Sequence, residues 1–167
     1  FLNQQLRAIQ EELGGDMYQE EVNRLKEKAK EKKWPEAVAK AFEKEIGKHS
    51  LAQAFLDKIG SADILVISLA ENNGNYAAAF KNIFDWCTRI RKDVFQDKPM
   101  LLMATSTGAN GAKIVLGIAK NAFPFYGGNV KTIFSLPSFD TNFDIEKEEI
   151  SNIELKKELQ KLIADNF

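Results

Sequence analysis

One cysteine and one histidine in 167 residues leave little room for several kinds of chemistry. Cys87 has no second cysteine to bridge to, and with His49 it makes no zinc-ligand cluster. No serine or acidic pattern around His49 supports a catalytic triad, so His49 reads as a surface residue ahead of a helix. No apolar stretch reaches the length of a membrane span and no signal peptide is visible, which predicts a soluble cytoplasmic chain. A G-x-x-x-x-G-K-[ST] loop is also missing, and ATP hydrolysis of that type goes with it. Neither charge sign dominates: 23 basic residues against 24 acidic ones leave −1. Nucleic acid and anionic membrane are therefore not favoured partners. The acidic run 144–149 reads as a solvated loop and helix start, not as a metal site.

Before residue 47 glycine and β-branched residues are scarce, while lysine and glutamate abound. Leu2, Leu6, Ile9 and Leu13 recur at spacings of four, three and four, a coiled-coil-like seam. Gly14-Gly15-Asp16 ends that helix. Met17, Val22, Leu25 and Ala29 form a second stripe. Trp34-Pro35 breaks the chain and opens a third helical face at Val38, Phe42 and Ile46. Residues 1–46 thus read as a helical hairpin with a short third helix.

From residue 47 the pattern changes. Ser50 is placed to N-cap a helix carrying Leu51, Ala54, Phe55 and Ile59 that ends at Gly60. Residues 64–69 are almost continuously apolar, which predicts a strand buried on both faces of a parallel sheet. A polar turn follows, then a helix over 75–91 with Tyr76, Phe80, Ile83, Phe84 and Cys87 on one face. Further strands are expected at 100–105 and 130–136. A helix through Ile114–Phe123 lies between them, and a last one spans 150–167. Strand and helix alternate, so 47–167 is expected to be an α/β domain with a three-layer parallel sheet of three strands.

In such sheets ligands bind at loops leaving the carboxyl ends of strands. Two loops fit that position. Glu71, Asn72, Asn73, Gly74 and Asn75 make the first, a turn with amide and carboxylate groups. Its plain alternative is a strand–helix turn capped by Asn75, with Glu71 facing water. Ser106, Thr107, Gly108 and Gly111 lie in the second, where successive N–H groups can receive anionic or carbonyl oxygens. A glycine-rich connection is also what any strand–helix turn needs. Lys81 and Asp85 read as a solvated i,i+4 pair, and Cys87 as a small buried hydrophobe.

The stretch AENNGNYAAAFKNIFDW resembles the flavin-binding loop and helix of the NAD(P)H-dependent FMN reductase family, a flavodoxin-like fold. Glu71, Asn73, Gly74, Lys81, Asn82, Asp85 and Trp86 match the family pattern. Ala70, Asn72, Asn75 and Ala77 depart from it. The resemblance implies an oxidoreductase using FMN, with NADPH or NADH as electron donor. Both loops would then be cofactor-binding, on the ring side of the flavin, and no acid–base residue is needed. It leaves a homodimer open and implies no nucleic-acid or membrane partner.

Residues 1–45, FLNQQLRAIQEELGG and the later WPEAVAKAFEKE above all, resemble the helical segment preceding the ATPase module of Lon-type proteases. That segment implies substrate engagement or assembly and no catalysis. The chain thus reads as a junction near residues 44–48, a chimera of natural or other origin, and its start at Phe1 fits a piece of something longer. Strands matching the third, fourth and fifth of a flavodoxin-like sheet are found. Nothing upstream of Ser50 reads as the first two strands or as the phosphate loop. Losing about three phosphate hydrogen bonds, at roughly 1.5–3 kcal/mol each, weakens FMN binding or abolishes it. Residues 64–69 would then form a sheet edge.

Overall fold

The computed structural model describes residues 16–167, with side chains from residue 23 on, apart from those of 45–49. The seam at Leu2, Leu6, Ile9 and Leu13 and the break at Gly14-Gly15 lie outside the described residues. The chain divides into two compact units, Phe1–Lys48 and His49–Phe167.

In the first unit, helix α1 spans Asp16–Glu31 and helix α2 begins at Glu36. The break falls at Trp34-Pro35 as expected, because proline has no N–H to continue a helix and restricts the residue before it. Trp34 and Phe42 meet edge to face with ring centroids 5.0 Å apart. No strand occurs among the described residues before Leu65.

Helix α2 does not stop near residue 46. It runs unbroken over Glu36–Ser61, so Ser50 is an interior helical residue and not the N-cap that its type suggested. Gly47 costs a helix only about 1 kcal/mol, less than the packing that the helix gains further on. Ala52, Leu56 and Ile59 are fully or almost fully buried, while Leu51 is 67% exposed. The buried face therefore lies beside the one expected from Leu51 and Ala54.

The second unit is built on a parallel sheet of β1 (Leu65–Leu69), β4 (Pro99–Thr105) and β5 (Asn129–Leu136), in the order β1-β4-β5. Leu65 pairs with Met100 and Leu69 with Ala104; Ala104 pairs with Ser135 and Thr105 with Leu136. Alternate residues of the central strand serve opposite faces. Met100, Leu102 and Ala104 pack with the buried residues of α2, α3 (Ala78–Ile90) and α4 (Lys113–Ala122). Leu101 and Met103 pack on the other face with Leu155, Leu159 and Leu162 of the C-terminal helix Ile153–Asn166. Helices on both faces and three parallel strands make a flavodoxin-like α/β arrangement, as expected.

Strand β1 is an edge, as expected, but it corrects the expectation of double burial: only one of its faces is covered, with Leu69 buried, while Val66 is 64% and Ile64 45% exposed. Its apolar run therefore reads as doubly buried but packs on one side only. The edge carries no lysine, proline or bulge of the kind that blunts pairing with other chains.

Several other expectations shift locally. The turn after β1 is a small β-hairpin, β2 (Glu71–Asn72) and β3 (Asn75–Tyr76). Helix α3 accordingly begins at Ala78, not at 75. Residues 144–149 close a second hairpin, β6 (Phe143–Asp144) with β7 (Glu149–Ile150). The Asp144 carboxylate accepts from the Lys147 and Glu146 amides, each at 3.1 Å, and the Lys147 amide and side chain above all hold its pKa below the usual range. The last helix starts at Ile153, where Asn152 accepts from the Glu154 and Leu155 amides.

The core around α3 is aromatic, with Tyr76, Phe80, Phe84, Phe95, Phe123 and Tyr126 in mutual ring contact. Cys87 is fully buried, and burial pushes its thiol up to about 11 from 9.0. Burial, with Tyr126 nearby, pushes the Tyr76 phenol up to about 12 from 10.0. The folded chain holds these protons where the unfolded chain releases them. Stability is therefore complete below about pH 9 and falls as pH rises, through 11 for Cys87 and 12 for Tyr76. Urea midpoints measured from pH 8 to 12 should decline in that window. The Tyr76 hydroxyl is also buried with no hydrogen-bond partner. Tyr76→Phe should flatten the upper part of the decline and raise stability at pH 7 by about 1 kcal/mol.

Candidate functional site

The first candidate loop is shaped by two residues with positive φ. Asn73 (φ 52°) and Gly74 (φ 73°) occupy the centre of the β2–β3 hairpin, the pattern of a type I′ turn, for which Asn-Gly is the preferred pair. Asn72 pairs with Asn75 and Glu71 with Tyr76 across it. Asn75 does not cap the helix; its Oδ1 accepts from the Tyr76 amide at 2.8 Å. Asn72, Asn73 and Asn75 are exposed and Gly74 half-buried.

The second loop leaves the carboxyl end of β4. Thr107 and Gly108 are exposed and Ser106 half-buried. The Ser106 hydroxyl donates to the Gly108 carbonyl at 3.2 Å. The loop is pinned to the chain after β5: the Ser138 amide donates to Gly108 O and the Phe139 amide to Ser106 O, both at 3.0 Å. Gly111 is buried, and its carbonyl accepts from the Ser135 hydroxyl at 2.7 Å. Gly111 and Ala112 both take left-handed φ, 60° and 57°, to turn the chain into α4.

The two loops meet. The Glu71 carboxylate accepts a hydrogen bond from the Val115 amide in the first turn of α4, at 2.9 Å. A Cβ on Gly74 would stand 3.8 Å from Ile114 of the same turn. Glu71 is therefore engaged within the protein, unlike either its ligand-facing or its water-facing reading. Neither loop came with a sequence signal for this contact, since Glu71 and Val115 lie 44 residues apart.

Among the described residues, the amides of Thr107, Gly108, Ala109 and Asn110 donate to no protein acceptor. Such a row of exposed N–H groups suits oxygen atoms of a polar ring edge. The residues present thus fit the ring end of a flavin. The phosphate end is different. In flavodoxin-like sheets it belongs to a loop opening a helix after an earlier strand, whereas residues 36–61 here form one helix leading directly to β1.

The remaining sequence candidates are structural. Lys81 and Asp85 form an ion pair at 2.7 Å with both side chains half exposed, which contributes little to stability. Cys87 lies in the core with its Sγ 3.7 Å from Ala52 O. Trp86 is partly buried against that core. Among the described residues no group of His, Cys, Asp and Glu is placed to hold a metal, and no helix is long and apolar enough to cross a membrane. Sequence reasoning passed over a groove of about 550 Å³ in the helical unit, lined by Lys26, Ala29, Lys30, Trp34, Ala39 and Phe42 among others.

A parallel sheet with helices on both faces, and with two polar turns tied together beyond its strand ends, places the second unit in the flavodoxin-like class of α/β proteins. Comparison makes this specific. The family model described as NADPH-dependent FMN reductase matches residues 3–139, and the chain belongs to that family. Among solved structures, FerB, a flavoenzyme NAD(P)H:(acceptor) oxidoreductase from Paracoccus denitrificans, aligns with a TM-score of 0.56. Identity is 22%, over 68% of this chain and 64% of that one, which supports the shared fold. The N-terminal segment is in addition similar to Lon proteases. Over 48 residues it is 56% identical to that of Parabacteroides distasonis, 54% to that of Flavobacterium johnsoniae and 52% to that of Porphyromonas gingivalis. This is 29% of the present chain and 6% of each protease.

Gly111 gives the site its sharpest test. A Cβ there would lie 2.3 Å from Ser135 Oγ and 2.9 Å from the Pro137 backbone, in a conformation that costs an L-residue roughly 1–2 kcal/mol by itself. Gly111→Ala should lower stability by at least about 2 kcal/mol, read from a urea or thermal unfolding curve. Gly117, around which no atom lies within 4 Å of a built Cβ, is the control: Gly117→Ala in mid-helix should gain stability, by up to about 1 kcal/mol.

Proposed function

We propose that the His49–Phe167 unit binds the isoalloxazine end of FMN between the β2–β3 hairpin and the loop after β4, and that it holds the phosphate weakly. The observation that carries this reading is the Glu71–Val115 bond, which brings the two turns together at the carboxyl side of the sheet. Asn73, Gly74 and Asn75 would line one side of the ring. Ser106, Thr107, Gly108 and Gly111 would form the other, with the free amides of 107–110 pointing donors at its polar edge. Asn72, at the exposed end of β2, would border the same edge. Glu71 lies in the same loop, with its carboxylate engaged by the Val115 amide.

Bound FMN would supply the hydride acceptance from NADPH or NADH and the onward electron transfer. The chain's part is to bind, orient and partly shield the ring; no acid–base side chain is required. Phosphate contributes little, because residues 16–64 offer no glycine-rich helix N-terminus. We read 1–46 and 47–167 as two units, in line with the compact division after Lys48. The similarity of the N-terminal segment to Lon proteases gives a second reading, in which that segment is a non-catalytic interaction element and the α/β unit its passenger. A cytoplasmic location and a homodimer belong to the flavin reading.

Parallel titrations of the full chain with FMN and riboflavin separate the possibilities. The reading expects weak binding of both, within about tenfold of each other, with a perturbed flavin absorbance. A preference for FMN of a hundredfold or more, about 2.7 kcal/mol, would reveal a phosphate site and overturn the proposal. Absence of any flavin binding would favour the interaction element.

A further inference from the structure

Helix α4 begins without a capping side chain of its own. Its N-cap is Ala112, in a left-handed conformation and with no side-chain hydrogen bond. The N2 or N3 amide of a helix is normally satisfied by an N-cap Ser, Thr, Asp or Asn. Here the N3 amide, that of Val115, is satisfied by Glu71 from across the fold. The carboxylate also suits the positive end of the helix dipole. Glu71 is at the same time the first residue of β2, in register with Tyr76 on β3. Tyr76 in turn is anchored in the aromatic core, stacked on Phe123 and tilted against Phe80. One side chain therefore fixes the spacing between the hairpin and the loop after β4.

We propose that Glu71 is a positioning residue: its carboxylate holds the β2–β3 hairpin against the first turn of α4, so that the 73–75 and 107–111 turns stand at a fixed separation, and it does not itself contact the ring. This rests on the ring-side reading above. It changes the role of Glu71 within that reading, from ligand contact to strut. Reach, not charge, is then the property that matters. A glutamine at 71 has the same length and an oxygen acceptor. An aspartate keeps the charge and is one methylene too short to hold the 2.9 Å contact without moving the hairpin.

The test uses the full chain as Glu71→Gln and Glu71→Asp, with two readouts. The first is hydrogen exchange at the Val115 amide in the absence of flavin. The second is riboflavin affinity by fluorescence titration. E71D should exchange about tenfold faster at Val115 and bind riboflavin about tenfold more weakly, the loss of one charge-assisted hydrogen bond. E71Q should stay within about threefold of the parent in both. The opposite order, with E71D like the parent and E71Q impaired, would make Glu71 a charge contact and overturn the proposal. Both variants behaving like the parent would overturn it as well. Exchange is measured on the flavin-free protein, so a parent that binds no riboflavin refutes the ring-side reading and leaves the strut separately testable.

Discussion

The bond from the Val115 amide to the Glu71 carboxylate is the contact on which the proposed site depends. The parallel sheet alone brings the ends of β1 and β4 side by side, because Leu69 pairs with Ala104. It does not decide how the chain leaves them. A two-residue turn at Asn73-Gly74 sends one segment back on itself, and two left-handed residues, Gly111 and Ala112, send the other into α4. Among the described residues only Glu71 joins these departures by a hydrogen bond, and it supplies the helix N-terminus that Ala112 leaves uncapped. A local deficit in capping is thus met by a residue from the other loop. Helix stability and site geometry become the same interaction.

Strand β1, from which the hairpin departs, is also an edge of the sheet. The order β1-β4-β5 leaves β1 unpaired on one side among the described residues, with Val66 and Ile64 open to solvent. A flavodoxin-like sheet has its phosphate-binding loop beyond that edge. Residues 36–61 instead enter β1 from a single helix. The proposed ring-side turns are thus preceded by a helix, and the N-terminal segment is the part similar to Lon proteases.

How much of this the sequence disclosed follows from the range of each interaction. The strands at 65–69, 99–105 and 129–136 were legible because their apolar runs are local and bounded by Glu71, Lys98-Pro99 and Pro137. The break at Trp34-Pro35 was legible because proline acts on its own neighbours. Reading Ser50 as a cap failed because an N-cap signal is a propensity of about 1 kcal/mol. Continuous packing of Ala52, Leu56 and Ile59 outweighs it. Double burial of β1 was misjudged because an apolar run reports on composition and not on neighbours. The Asn-Gly pair was recognised as a turn, but its type I′ form, and so the hairpin, depends on a positive φ at Asn73 as well as Gly74. The Glu71–Val115 contact spans 44 residues and leaves no periodic trace in the sequence.

The central claim is that residues 73–75 and 107–110 face one flavin ring. An amide proton–nitrogen correlation spectrum recorded during a riboflavin titration tests it residue by residue. The account predicts that the amides of Asn73, Gly74 and Asn75 and those of Thr107, Gly108, Ala109 and Asn110 shift together, on one binding curve. Shifts confined to the helical groove around Trp34 and Phe42, or a hairpin and loop that stay unmoved while riboflavin binds, would contradict it.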